Sequence, residues 1–150
     1  MSEERKLSEI AKSLAEEIGD GVLATLDEEG YPYTSLVEVI FDGDRNFWLL
    51  LSDLAVHSAN IARDTRASLL LREPAKAGQH APATERASFL GRLEQEDRCA
   101  QEIVEAYLAH HPQAQKYVEF SDFSFYRLHI ERVRLVAGFG RIGWIDVEKW

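Results

Sequence analysis

Ser52, His57, Ser58, Asn60, Arg63 and Arg66 lie close together in the stretch LSDLAVHSANIARDTRASLLL, residues 51–71. The run 49–51 is apolar and breaks at Ser52-Asp53, a pair suited to a turn or a helix start. The spacing predicts a helix over about 55–63, too short to stand alone in water. An apolar run at 67–71 then reads as a strand buried on both faces. Hydroxyl, imidazole, amide and guanidinium groups at a helix start make a plausible anion cradle, because a helix N-terminus offers free N–H groups and the positive end of a dipole. The same residues serve equally as a Ser/Asp cap on a connector helix with a solvated face, and capping is the commoner use.

Other reactive side chains are less well placed. His110-His111-Pro112 ends a helical pattern, and adjacent histidines on a helix point in different directions. No carboxylate or cysteine is spaced to complete a metal site with them. Interaction of an imidazolium with the helix C-terminus is the expected role. His80 reads as an exposed loop residue, and His129 lies on a strand face. Cys99 is the single cysteine, which rules out an intrachain disulfide; it falls on a helix-patterned face as a packing residue. Gly138, Gly140 and Gly143 surround Phe139, Arg141 and Trp144, so the backbone there is bent or tightly approached. This is not a dinucleotide fingerprint, because it lacks the preceding parallel strand and the following helix.

The elements that carry these groups are mostly strands. Leu7, Ile10, Ala11, Leu14, Ala15 and Ile18 recur at helical spacing, and Gly19-Asp20-Gly21 stops that helix. This N-terminal segment, 1–18, is expected to pack across the barrel or a partner subunit. Strands are predicted at 22–26, 33–41 and 46–51, joined by turns at 27–30 and 42–44, which makes an antiparallel meander. Residues 73–85 read as a surface loop. A fifth strand is predicted at 86–93, where Gly91 suggests a bulge or the close approach of another group. From Gln95 the pattern turns helical, with Ala100, Ile103, Val104, Tyr107 and Leu108 on one face. A short turn at 113–118 and two further strands, 125–130 and 132–136, complete the chain. The class is mainly β with some helix (α+β), and six or seven short antiparallel strands suggest a small barrel in one domain, 1–150.

The chain has 150 residues, of which 45% are hydrophobic and 29% charged. Those proportions are ordinary for a globular domain with a real core. A net charge of −9 argues against a nucleic-acid surface but leaves room for a local basic pocket. The start, MSEERKLSEIAKSLAEE, has no apolar signal region, and no apolar run approaches membrane-spanning length. A soluble cytoplasmic protein with no membrane partner is expected.

Four segments carry a resemblance: GVLATLDEEGYPYTSLV, LLLSDLAVHSANIARDTRASLLL, RASFLGRL and AYLAHHPQAQKYVEFSDFSFYRLHIERVRLVAGFGRIGW. In order and spacing they resemble the pyridoxamine 5′-phosphate oxidase-related split-barrel family, and within it the haem-utilisation proteins of the HugZ type. The resemblance covers nearly everything from 21 to 144. It implies a six-stranded antiparallel split β-barrel with flanking helices, forming a homodimer with FMN in clefts along the interface. Carried across by position, Ser52 matches a hydroxyl at the end of the third strand, and His57 falls near a phosphate-binding Lys or Arg. Asn60 lies one turn further on the same face, and Ser35 falls where the oxidase has an arginine. Arg86 and Ser88 fall on the strand of a flavin-contacting Arg-Gln pair, and Arg141 and Trp144 stand as the partner subunit's contribution.

The sequence also departs from that pattern. The oxidase's two adjacent basic residues read Val56-His57 here, and its C-terminal Arg/His substrate motif is absent. The haem-degrading branch carries its axial histidine in an extra C-terminal region, so a haem role is expected to need another ligand. The resemblance implies first an FMN-dependent oxidoreductase acting on a small molecule, with the cofactor supplying the chemistry and no residue assigned as catalytic. Its alternatives are a haem-binding or haem-degrading protein of the HugZ type and a non-catalytic flavin-binding module.

Overall fold

The computed structural model describes residues 3–138 and 140–150; Phe139, read from the sequence beside Arg141 and Trp144, lies outside them. Helix α1 (Glu3–Glu17) is followed by strands β1 (Asp20–Leu26), β2 (Pro32–Glu38), β3 (Ile40–Phe41) and β4 (Asn46–Ser52). Helix α2 (Val56–Arg63), β5 (Arg66–Arg72), β6 (Arg86–Glu96), α3 (Gln101–His110), β7 (Phe123–Ala137) and β8 (Arg141–Asp146) complete the order. All pairings are antiparallel, in the order β2-β1-β5-β6-β7-β4-β3, with β8 added to the free half of β7. The two end strands of that order, β2 and β3, are one run of chain broken at Val39. Asp20 of β1 pairs with Glu38 on one side of the break, and Trp48 of β4 with Ile40 on the other. The curled sheet therefore returns to itself through this run as a six-stranded split barrel, with β8 as an extra strand.

The interior is filled by alternate residues, among them Leu23, Phe47, Leu49, Leu69, Phe89, Leu128 and Leu135, all fully buried. Leu7, Ala11, Leu14 and Ala15 of α1 join this cluster, so α1 packs its apolar stripe on the barrel. Gly143 lets it approach: a Cβ there would stand 2.8 Å from Leu7 Cδ1. A second cluster lies outside, where Tyr107 of α3 and Ala114 pack on Ile40, Leu50 and Phe125. Helix α3 thus covers the outer face near β3, β4 and the first half of β7.

Several expectations change. The runs 125–130 and 132–136 are one strand, because β6 pairs with β7 from Phe125 to Val136 and absorbs one extra residue, Glu131, at a bulge between Leu90 and Gly91. The glycine-rich stretch after Ala137 is a hairpin into β8, which composition hid. Gln95 and Glu96 close β6 rather than open a helix, and Cys99 precedes α3, though it packs against the second cluster as expected. β5 alternates buried and exposed residues, since its outer face is bare. His110 bonds Ala106 O at 2.9 Å, the expected helix-end role. His111 instead is 8% exposed and bonds Val39 O and Glu38 Oε2, each at 2.9 Å, pinning α3 to the broken run.

Gly91 is the tightest point in the sheet. A Cβ there would meet His129 O at 1.8 Å, in the backbone of β7. Gly91→Ala is expected to cost about 3 kcal/mol or more in a urea unfolding experiment, because backbone rather than a flexible side chain must give way. Gly138→Ala, with nothing within 4 Å of the added atom, is expected to stay within about 0.5 kcal/mol.

Candidate functional site

The expected site residues form two groups. Ser35, Ser52, His57 and Asn60 gather around α2. Ser52 ends β4, and its Oγ accepts from Leu54 N–H at 3.2 Å and donates to Asp122 Oδ2 at 3.4 Å. It caps the turn rather than the helix, whose first flanking residue is Ala55 with no side-chain cap. Ser58 Oγ donates to Ser52 O at 2.6 Å. Asp53 accepts from Tyr126 OH at 2.7 Å and Ser124 Oγ at 3.0 Å; burial and the Asp53 bond push Tyr126 up to about 12. Asn60 is buried, donating to Thr25 Oγ1 at 3.0 Å and accepting from Arg63 Nη2 at 2.9 Å.

His57 holds the one buried side-chain atom without a partner among the described residues. Its Nδ1 lies 3.4 Å from Ser35 Oγ, while Nε2 is buried and bonds nothing. Burial lowers its pKa from the ordinary 6.5, so the neutral imidazole is favoured. The two carboxylates near the start of α2, Asp53 and Asp122, oppose an anion, and Arg63 at the other end of α2 is turned to Asn60 and Glu28. The cradle fits a phosphate poorly.

Arg86, Ser88, Arg141 and Trp144 form the second group, and strands β1 and β5 separate Ser35 on β2 from Ser88 on β6. Register aligns Ser88, Arg134 and Trp144 in one row across β6, β7 and β8. Arg86 donates to Pro82 O and Thr84 O, and Arg141 reaches Gly138 O and Glu85. The row extends through Leu70 and Val22 to Leu36. Leu36 is 84% exposed, Trp144 52% and Leu70 37%, a ridge of apolar side chains interrupted by Ser88 and Arg134 that no helix among the described residues covers.

Beside this ridge the bulge opens a hollow of about 340 Å³. Ala24, Leu26 and Leu90 lie among its apolar lining, and Arg66, Arg92 and Arg132 are its cations. The sequence offered one signal for this place, the glycine in mid-strand. Arg92 and Arg132 gave none, because their meeting depends on strand register.

One prediction follows from the His57 environment. A base whose pKa is lowered by folding stabilises the native state above its unfolded value, and loses that contribution as pH falls through 6.5 towards the folded value. His57→Leu is expected to show a smaller drop in Tm between pH 7.5 and pH 5 than the wild type, measured by circular dichroism.

The chain is 36% identical over 122 residues to the non-canonical heme oxygenase HOZ, chloroplastic, of Arabidopsis thaliana, a match covering 79% of this chain and 36% of that protein. It superposes on the heme binding protein of Mycobacterium smegmatis with a TM-score of 0.81 and 33% identity, over 99% of this chain and 59% of that one. HutZ, the heme storage protein of Vibrio cholerae, shares the fold at a TM-score of 0.69 and 20% identity, over 87% of this chain and 92% of that one. The chain thus spans about a third of the plant relative and about three fifths of the mycobacterial one. The family described as CREG, beta-barrel matches residues 2–150. With its split barrel of the pyridoxamine 5′-phosphate oxidase type and haem-binding neighbours, the chain belongs to the CREG β-barrel family.

Proposed function

We propose that this protein binds haem, as a homodimer with the cofactor held between the bare outer faces of two barrels. The observation that carries the reading is that face itself: the exposed apolar side chains of Leu36, Leu70 and Trp144 in one row, beside a hollow edged by arginines, in a chain of net charge −9. Haem asks for apolar walls and cations for its propionates, and this face offers both. Relatives named for haem at 36% and 33% identity support the same choice. The flavin reading ranked first from the sequence needs a phosphate site, and Ser52, the hydroxyl expected in it, is bonded to Asp122 and adjoins Asp53. Haem is therefore preferred to FMN.

When bound, haem supplies an iron centre for oxygen or electron-transfer chemistry. The chain's own residues shape the cleft. Leu36, Leu70 and Trp144 exclude water from it once a second copy is in place, and the exposed apolar area they leave in one chain is the driving force for that pairing.

Titration of haemin and, separately, FMN into purified protein tests this. Expected is a Soret band that sharpens and shifts to saturation near one haem per chain, with little change in the flavin spectrum. Flavin uptake with no haemin uptake would reverse the choice. Sedimentation velocity is expected to give a dimer, and Leu36→Asp with Leu70→Asp to give a monomer that keeps its circular dichroism spectrum. An unchanged dimer would place the interface elsewhere.

A further inference from the structure

The bulge opposite Gly91 has a consequence for side-chain direction. Along a regular strand neighbours point to opposite faces, but one extra residue breaks the alternation. Glu131 is that extra residue: Gly91 pairs with Ile130 and Leu90 with Arg132. Glu131 and Arg132 are accordingly both exposed, and both line the hollow. The bulge thus places a second charged side chain where a regular ladder would have one.

The three arginines of the hollow are not equivalent. Arg66 is tied to Asp64 by its Nε and Nη2, and the guanidinium holds that carboxyl down at about 2. Arg92 faces Glu131 at 3.4 Å across a half-exposed pair, a weak link in water. Arg132 has no carboxylate partner among the described residues. Its guanidinium stands 5.2 Å from the centre of the Trp144 ring, with Arg134 at 5.6 Å from the same ring. The cation–π contact holds Arg132 beside the ring, and its N–H groups have no hydrogen-bond acceptor among the described residues. Ala24, Leu26 and Leu90 line the same hollow with apolar side chains.

Resting on the haem reading above, we infer that this hollow recognises the carboxylate edge of a flat apolar dicarboxylate, the propionates of a tetrapyrrole, with Arg132 and Arg92 as the salt partners. Carboxylates meet guanidinium edges with two parallel hydrogen bonds, a geometry that fixes orientation as well as charge. Arg132 can donate such a pair to one carboxylate. Arg92 exchanges its exposed contact with Glu131 for the other. The lining contains no histidine, cysteine, tyrosine or methionine, so the hollow holds the carboxylate end of the ligand while any iron ligand comes from another segment or from the second copy.

Chemical removal of the carboxylates separates this from haem binding in general. Haemin, haemin dimethyl ester and metal-free protoporphyrin IX are titrated into the wild type, Arg132→Gln, Arg132→Lys and the double variant Arg92→Gln/Arg132→Gln, following absorbance and tryptophan quenching. The double variant is expected to bind haemin and protoporphyrin IX at least tenfold more weakly than the wild type. The dimethyl ester is expected to bind wild type and variants alike, at the weaker level, and Arg132→Lys to fall between. A wild type that binds the ester as tightly as haemin, or a double variant that keeps the wild-type affinity for haemin, overturns the carboxylate site while leaving haem binding in place. No uptake of haemin by the wild type overturns both.

Discussion

The contact between Gly91 and the backbone of β7 is the constraint on which the barrel's outer face depends. β6 and β7 run side by side along the whole of β6, and a pairing that long accumulates twist and curvature that a regular ladder cannot absorb. The extra residue at Glu131 relieves it, and the missing side chain at Gly91 lets the displaced carbonyl of His129 fit against the neighbouring strand. Before the bulge β7 pairs with β4; beyond it β8 takes the place beside β7. One irregularity divides the long strand into a half that closes the barrel and a half that carries an added hairpin strand.

That division decides which surfaces are covered. The barrel half lies under α3, whose Tyr107 and His111 are buried against the broken run and whose end is held by Glu38 and the Val39 carbonyl. Helix α1 packs with the core, contacting β8 where Gly143 makes room. Among the described residues, no helix reaches the outer face of β1, β5, β6 and β8. Burial of apolar surface drives folding and association alike; Leu36 and Trp144 stay exposed on this face, which supports the pairing proposed above, whereas the second-cluster face has already spent its apolar residues on α3.

Charge is distributed against the average. Acidic side chains exceed basic ones across the chain by 26 to 17. Yet Arg66, Arg92, Arg132 and Arg134 meet on the uncovered face, and carboxylates stand around the start of α2. A bulk charge cannot report this, because an anion responds to the field of the nearest groups within roughly a Debye length, ~8 Å in physiological salt. The helix N-terminus that looked like the anion site and the strand face where Arg132 has no carboxylate partner among the described residues are therefore different places.

The sequence alone determined what depends on local pattern. Helical spacing from Leu7 to Ile18 marked α1, alternation and turn residues marked the meander, and the mid-strand glycine at 91 marked the bulge; the four family-like segments named the split barrel. Local pattern failed wherever a neighbour strand decided the outcome. β8 was hidden among glycines because pairing with β7, rather than its own composition, makes it a strand. The strand of 15 residues was read as two because the bulge lies in its middle. At the candidate site, Ser35 and His57 do come together, Asn60 is bonded to Thr25, and the meeting of Arg92 and Arg132 in one hollow carried no sequence signal. Those meetings depend on strand register across several dozen residues, and register is fixed by packing of the whole sheet, which only the tertiary structure contains.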